Sequence, residues 1–358
     1  MSGERTAFGS TPGGTGVDRL VIGSAPGVVV HLLTLGATVY RVEVTGGDGT
    51  RRDVALGHGD PAAYLASSDY IGGTIGRYAN RIAAGRFPLD GHEVVVGTHD
   101  RGNHLHGGPD GFDRRVWSVE EQGPDHVVLG MASPDGDQGF PGALQVRARY
   151  AVVDGTTVNV RLSAVPDATT VVNLTSHAYL NLDGDGAGTI DEHELQVLAD
   201  AYTPVDASAI PLGGEHAPVA GTALDAREPR RIGEMVRRGD NQVVAAQGID
   251  HNYVLRGWAP GGGLRPVAVL TSPRTRTRLE LATDQPGLQV YTGNFLDGTR
   301  RDGHGGLYRQ GDGIAMEPQL FPDTPNHTEA GWPSARVEAG ASYTWEMEWR
   351  FSALDPRD

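Results

Sequence analysis

Residues 171–182, VVNLTSHAYLNL, separate polar from apolar side chains with a period of two. Asn173, Thr175, His177, Tyr179 and Asn181 fall on one parity; Val172, Leu174, Ser176, Ala178, Leu180 and Leu182 fall on the other. Successive side chains of a strand point to opposite faces, so this spacing predicts a half-buried strand. A merely solvated face would ordinarily carry charges. This one carries hydroxyls, amides and one imidazole, neutral donors and acceptors that suit a ligand with many hydroxyls, such as a sugar. The alternative is a strand whose outer face is simply polar.

Outward from that stretch the chain keeps the same character. It has 358 residues, 52 of them glycine and 22 proline, and its apolar segments are short and broken by turn residues. Many strands joined by loops give that appearance. Strand signals recur from Leu20 to the C-terminal YTWEMEWRF, and helical periodicity is confined to residues 232–238. Residues 1–18, rich in Gly, Ser and Thr, read as a flexible lead-in, and residues 19–358 as one large, mostly antiparallel β domain.

The net charge of −15 argues against nucleic acid or an anionic membrane as partner. The chain contains no cysteine, and all 30 of its basic residues are arginine. Thiolate nucleophiles, disulfides, Cys-ligated metals, Schiff bases and a P-loop lysine are thereby excluded. The N-terminal residues carry no apolar signal core and no run is long enough to cross a bilayer, so a cytoplasmic location is expected.

Five polar segments stand at strand ends or in Gly-rich loops. Residues 72–87, GGTIGRYANRIAAGRF, place Asn80 beside Arg81 without a P-loop pattern, and these two side chains suit either a ligand or the loop's own hydrogen bonds. Residues 103–108, NHLHGG, space His104 and His106 at i, i+2, a metal-site spacing that lacks further ligands nearby. His106, next to two glycines, is the better sugar contact, and His104 reads as structural. His177 lies on the opening stretch. Asp250 opens a strand in DHNYVL, as a loop cap or as an acceptor for vicinal hydroxyls. Glu317, in GIAMEPQLFPDTPNH, is held extended before Pro318 at the expected end of a strand. Its apolar neighbours Ile314, Met316, Leu320 and Phe321 would raise its pKa toward that of a useful base; an exposed loop carboxylate is the alternative.

Taken jointly and in order, these segments resemble the aldose 1-epimerase (galactose mutarotase) family. The resemblance runs from about residue 27 to 350 and includes GGTIGRYANRIAAGRF, NHLHGG with GFDRRVW, SPDGDQGFPG, NLTSHAYLNL, YTPVD, DHNYVL, GLQVYTGNFLDG and MEPQLFPDTPNH. It implies an all-β fold, a large antiparallel β-sandwich of the galactose mutarotase-like supersandwich type with few short helices. It further implies Glu317 as catalytic base and His177 as catalytic acid, with Asn80, Arg81, His106, Asp250 and Gln289 binding the sugar and Tyr179 contributing to the cleft floor. The implied partner is a free aldose, with neither metal nor cofactor. No motif assigns an oligomeric state or selects one aldose over another. Three rivals remain: a hexose-phosphate 1-epimerase using Arg77, Arg81 and Arg86, a glycoside hydrolase using Asp250 and Glu317 as its carboxylate pair, and a non-catalytic sugar-binding protein.

Overall fold

The computed structural model describes residues 3–328 and 331–354 of the chain. Its centre is a nine-stranded antiparallel sheet in which Tyr343–Ala353 lies between Thr157–Pro166 and Thr277–Thr283. Alternation decides which way each strand faces. In Tyr343–Ala353, Trp345, Met347, Trp349 and Phe351 are buried while the residues between them reach outward, and Leu144, Val146, Ala148 and Tyr150 do the same in Leu144–Val153. These rows join Leu20, Ile22 and Val30 of a five-stranded N-terminal sheet and Leu288, Val290 and Met316 of a six-stranded sheet in one apolar cluster. The fold is thus an antiparallel β-sandwich. Among the described residues its α-helices are short: Pro61–Ala66, Ile232–Val236 within the expected helical stretch, and Asn241–Ala246. No helix among them is long and apolar enough to cross a membrane.

The six-stranded sheet runs Tyr179–Leu180, Ile314–Gln319, Gly287–Tyr291, Asp250–Leu255, Ala199–Tyr202, Ala217–Pro218. Its two faces differ in chemistry. Tyr253, Leu255, Leu288, Val290 and Met316 point into the core. On the other face Gln289 stands directly opposite Glu317, Asn252 opposite Gln289, and Asp250 opposite Tyr291. Period-two alternation therefore delivers carboxylates and amides from three neighbouring strands to one surface.

Three expectations are corrected here. The lead-in is, from Glu4 on, built into the paired strands Glu4–Ser10 and Gly16–Gly23 at the edge of the N-terminal sheet. Residues 171–182 do not form one half-buried strand: they contribute three two-residue strands, Thr170–Val171, Thr175–Ser176 and Tyr179–Leu180, to three different partners, and both parities are buried. Loops cover the polar parity and use most of it structurally. Asn173 donates to the Ala79 carbonyl and accepts from the Leu320 N–H, and Asn181 donates to the carbonyls of Gly188 and Asp312.

Pro318 does not end its strand, which continues to Gln319. Tyr179–Leu180 pairs only with Ala315 and Ile314, so beyond them no strand among the described residues is ladder-paired to that flank of Ile314–Gln319, and a residue without an N–H is tolerated there. The Pro318 carbonyl on that flank accepts the indole N–H of Trp345 at 2.7 Å, fastening the cleft sheet to the nine-stranded sheet one residue from Glu317. Trp345→Phe leaves that buried carbonyl without its donor and should destabilise the fold by about 1–3 kcal/mol. A urea unfolding midpoint equal to that of the parent would show that the bond contributes nothing.

Candidate active site

The polar face of the six-stranded sheet forms the floor of a cleft of about 530 Å³, bordered by Asn80, Arg81, His106, His177, Tyr179, Asp250, Gln289 and Glu317. Residues far apart in the chain reach it on different elements. The strand Arg81–Ile82 pairs with His104–Leu105, bringing the GRYANRI and NHLHGG segments side by side. Asn80 and His106 then clasp each other. The His106 N–H donates to the Asn80 carbonyl, and the Asn80 N–H donates to His106 Nδ1, each at 3.1 Å. Both residues adopt left-handed backbone, φ 65° and 50°.

That clasp fixes a tautomer. Nδ1 accepts, so in the neutral ring the proton sits on Nε2. Burial, then the positive charge on a protonated His177 and on Arg81, hold the pKa of His106 well below the usual imidazole value. His106 is therefore a neutral N–H donor. The i, i+2 spacing does not place His104 beside it, because the chain leaves the extended conformation at His106. His104 is fully buried, bonded through Nδ1 to the Gly97 carbonyl at 2.8 Å and packed on Phe140. Nor do the two glycines after His106 serve a ligand. A Cβ on Gly107 would collide with the Gly76 carbonyl, and one on Gly108 with the Gln138 side chain.

His177 Nε2 and Glu317 Oε1 lie 3.7 Å apart, and both side chains are almost fully buried. Burial lowers the His177 pKa to about 4, opposed weakly by a contact with its own backbone. Glu317 is raised well above the usual carboxylate range, first by burial, then by the charge of Asp250, with Arg81 acting the other way. Direction and cause match the expectation from sequence, although two of the four expected apolar neighbours, Ile314 and Met316, lie in the core cluster beneath the sheet. Among the described residues, Glu317 Oε2 and His177 Nδ1 have no hydrogen-bond partner.

Asp250 Oδ1 accepts the Gln289 amide at 2.7 Å, and Gln289 Oε1 accepts in turn from Gln319 at 3.4 Å. Arg81 donates through Nε to Asp100 at 2.8 Å, which leaves its terminal nitrogens for other acceptors. Arg77, by contrast, lies outside the cleft. Its guanidinium is buried, and the terminal nitrogens donate to the carbonyls of Ser133, Pro141 and Gly142 and to the Ser133 hydroxyl. Arg86 is paired with Glu93 at the surface.

Further residues also border the cleft, among them Tyr70, Asp100, Tyr291 and Phe295. Tyr291 shares the parity of Gln289 and was legible from that alternation. Tyr70 and Asp100 sit in loops with no pattern to mark them.

A buried carboxyl–imidazole pair in a cleft that also presents amides, hydroxyls, Asp250 and Arg81 has the makeup of an enzyme site for a polyhydroxylated substrate. Comparison with known proteins gives that site a family. The aldose 1-epimerase family profile matches residues 18–350. The chain is 37% identical to the aldose 1-epimerase of Escherichia coli (strain K12), over 96% of this chain and 97% of that protein. It is 37% identical to the galactose mutarotase of Mus musculus, over 98% and 99% respectively. Its fold is similar to the crystal structure of galactose 1-epimerase from Lactobacillus acidophilus NCFM, with a TM-score of 0.84, 29% identity and 99% of each chain covered. The chain belongs to the aldose 1-epimerase family and is an isomerase.

The fixed tautomer is directly testable. In ¹⁵N spectra of histidine-labelled protein, His106 should appear uncharged, with its proton on Nε2, throughout pH 5–8. A protonated His106 at pH 6 would contradict the clasp.

Proposed function

We propose that the chain interconverts the α and β anomers of free aldohexoses by opening and reclosing the sugar ring, with Glu317 as base and His177 as acid. The observation that carries this reading is the 3.7 Å separation of two buried, oppositely tuned groups at the floor of a cleft lined by hydroxyl-binding side chains. Glu317 takes the proton of the C1 hydroxyl, and the oxygen's electron pair forms the carbonyl as the C1–O5 bond breaks. The bond pair stays on O5, which takes a proton from His177 Nε2. Rotation about C1–C2 presents the other carbonyl face, and reclosure returns both protons. Asp250, Arg81 and the His106 N–H hold the remaining hydroxyls while this happens.

Free sugars fit better than phosphate esters. Of the three arginines that a phosphate pocket would call on, only Arg81 borders the cleft, and it is engaged by Asp100. Arg300 is a further half-exposed cation at the rim, so phosphate esters belong in the assay. The reading assigns the reaction to the cytoplasm, a location that a chain without disulfides suits.

Positioned acid–base groups contribute roughly 10²–10⁴-fold each. Glu317→Gln and His177→Ala should each lose about that much of the polarimetric rate on α-glucose or α-galactose. Rates equal to the parent's in both variants would overturn the assignment.

The pH dependence follows from the proton count. The working pair holds one proton between its two groups. Below the depressed value of His177, about 4, a second proton binds and no base remains; above the raised value of Glu317 the last proton leaves and no acid remains. The enzymatic kcat/KM should therefore hold level as pH falls through 6.5, the ordinary imidazole value, and decline only toward about 4. An acid limb centred near 6.5 would sink this account.

A further inference from the structure

Working imidazoles are usually oriented by a hydrogen bond from the rear nitrogen to a carboxylate or carbonyl of another residue. His177 has none, since its Nδ1 is buried without such a partner. Aromatic rings surround it instead. Their centroids lie at 5.1 Å for Tyr179, 5.3 Å for His106, 5.8 Å for Tyr70 and 6.3 Å for Tyr291. Tyr179 and Tyr291 stand on strands of the sheet and are tethered by their own hydroxyls, Tyr179 donating to the Asp69 carbonyl and Tyr291 accepting from the Phe295 N–H. Tyr70 is different. It comes from a loop, and among the described residues it is the tyrosine that touches both imidazoles, meeting His106 edge-on at 4.7 Å.

The backbone holds it there. The Gly72 N–H donates to the His177 carbonyl at 3.0 Å and the His177 N–H to the Gly73 carbonyl at 2.9 Å, while the Gly73 N–H closes a turn onto the Tyr70 carbonyl at 3.0 Å. Tyr70 itself has φ 55°, a left-handed conformation unfavourable for a bulky side chain. Glycine or asparagine would relieve that strain, so the turn alone gives no reason for a tyrosine. The ring does.

We propose that Tyr70 is a positioning residue whose ring, wedged against His106 and His177, fixes the orientation of the proton-donating imidazole and screens it from water, in place of the hydrogen bond His177 lacks. The inference rests on the reading of His177 as the acid. The titratable groups facing His177 are Glu317 from the sheet, His106 from its loop, and the three tyrosines, all of which burial holds toward their neutral forms. Loss of the Tyr70 ring therefore acts on His177 chiefly by admitting water, and raises its pKa from about 4 toward 6.5.

Two variants and two readouts test this. Tyr70→Asn removes the ring and tolerates the left-handed backbone; Tyr70→Phe keeps the ring and removes the hydroxyl. Polarimetry should show Tyr70→Asn losing roughly 10–100-fold in kcat with KM changed by less than about threefold, the signature of a misplaced proton donor. Titration of ¹⁵N-histidine without sugar should show His177 moving upward in pH. Tyr70→Phe should recover kcat to within about threefold of the parent and restore the low titration. A folded Tyr70→Asn with parental kcat and parental His177 titration overturns the proposal, as does a Tyr70→Phe as impaired as Tyr70→Asn. Should Tyr70→Asn not fold, Tyr70→Gly, which also removes the ring and suits the left-handed backbone, takes its place with the same two outcomes. If the parent itself shows no mutarotation while the titration still shifts, the function proposed above fails and the packing inference stands.

Discussion

A carboxyl group and an imidazole buried 3.7 Å apart, each with one polar atom that has no hydrogen-bond partner among the described residues, form the constraint on which the rest of this structure turns. Leaving a buried polar atom without a partner costs about 1–3 kcal/mol. The arrangement persists because the surroundings over-determine it. Beneath Glu317, Leu288, Val290 and Met316 anchor the cleft sheet in the core, and the Trp345 indole fastens the next residue to the opposite sheet. Above His177, the Gly72 and Gly73 backbone is hydrogen-bonded to that residue itself. Neither group can relax toward water without dismantling a sheet contact or a loop.

Around the pair, a second layer sets direction. Gln319 bonds Gln289, which bonds Asp250, so a chain of amides along one sheet face turns a carboxylate toward the cleft. Asp100 takes the Nε of Arg81, and the Asn80 N–H takes Nδ1 of His106. In each case an inner residue has one polar atom engaged by the protein, which leaves its other polar atoms for hydroxyls. Preorganisation of this kind lowers the ordering cost of binding, since the side chains have already lost their rotamer freedom.

How much of this was legible depends on the kind of signal. Glu317 was readable because the proline after it marks an extended residue, and Asn80, Arg81, His106, His177 and Asp250 because they stand in Gly-rich loops or at strand positions. The family resemblance gave these six their roles and added Gln289 and Tyr179, and register sets Gln289 opposite Glu317. Alternation misled at residues 171–182, where Asn173 and Asn181 looked like ligand-facing polarity and are hydrogen-bonded to loop backbone. A period of two marks a face, and whether that face meets water, a ligand or another loop is settled by segments distant in the chain. Arg77 shows the same ambiguity, since a buried guanidinium that donates to loop carbonyls and a cationic pocket look alike in sequence. The N-terminal strands were hidden by Gly, Ser and Thr content, and pairing across one sheet edge outweighed it. Tyr70 carries no pattern at all, because its position follows from a turn that the His177 backbone defines.

The chemistry proposed for the cleft asks for a particular balance between its two groups. Ring opening moves one proton onto the carboxylate and one off the imidazole, and reclosure moves both back, so the two proton placements on the pair must lie close in free energy. In the empty cleft they do not: with Glu317 raised and His177 lowered, the shared proton rests on the carboxyl and both groups are neutral. Burying both penalises the charge-separated arrangement, while Arg81 acts in the opposite sense by favouring the ionised Glu317. Hydroxyls that donate to the carboxylate and accept from the imidazole shift the balance further, and they arrive only with the substrate. The pair then completes a cycle without exchanging a proton with water, whichever anomer departs. Burial thus sets a resting pair in which neither group is charged, and the hydroxyls of the substrate supply the polarity that readies the carboxylate as base and the imidazole as acid.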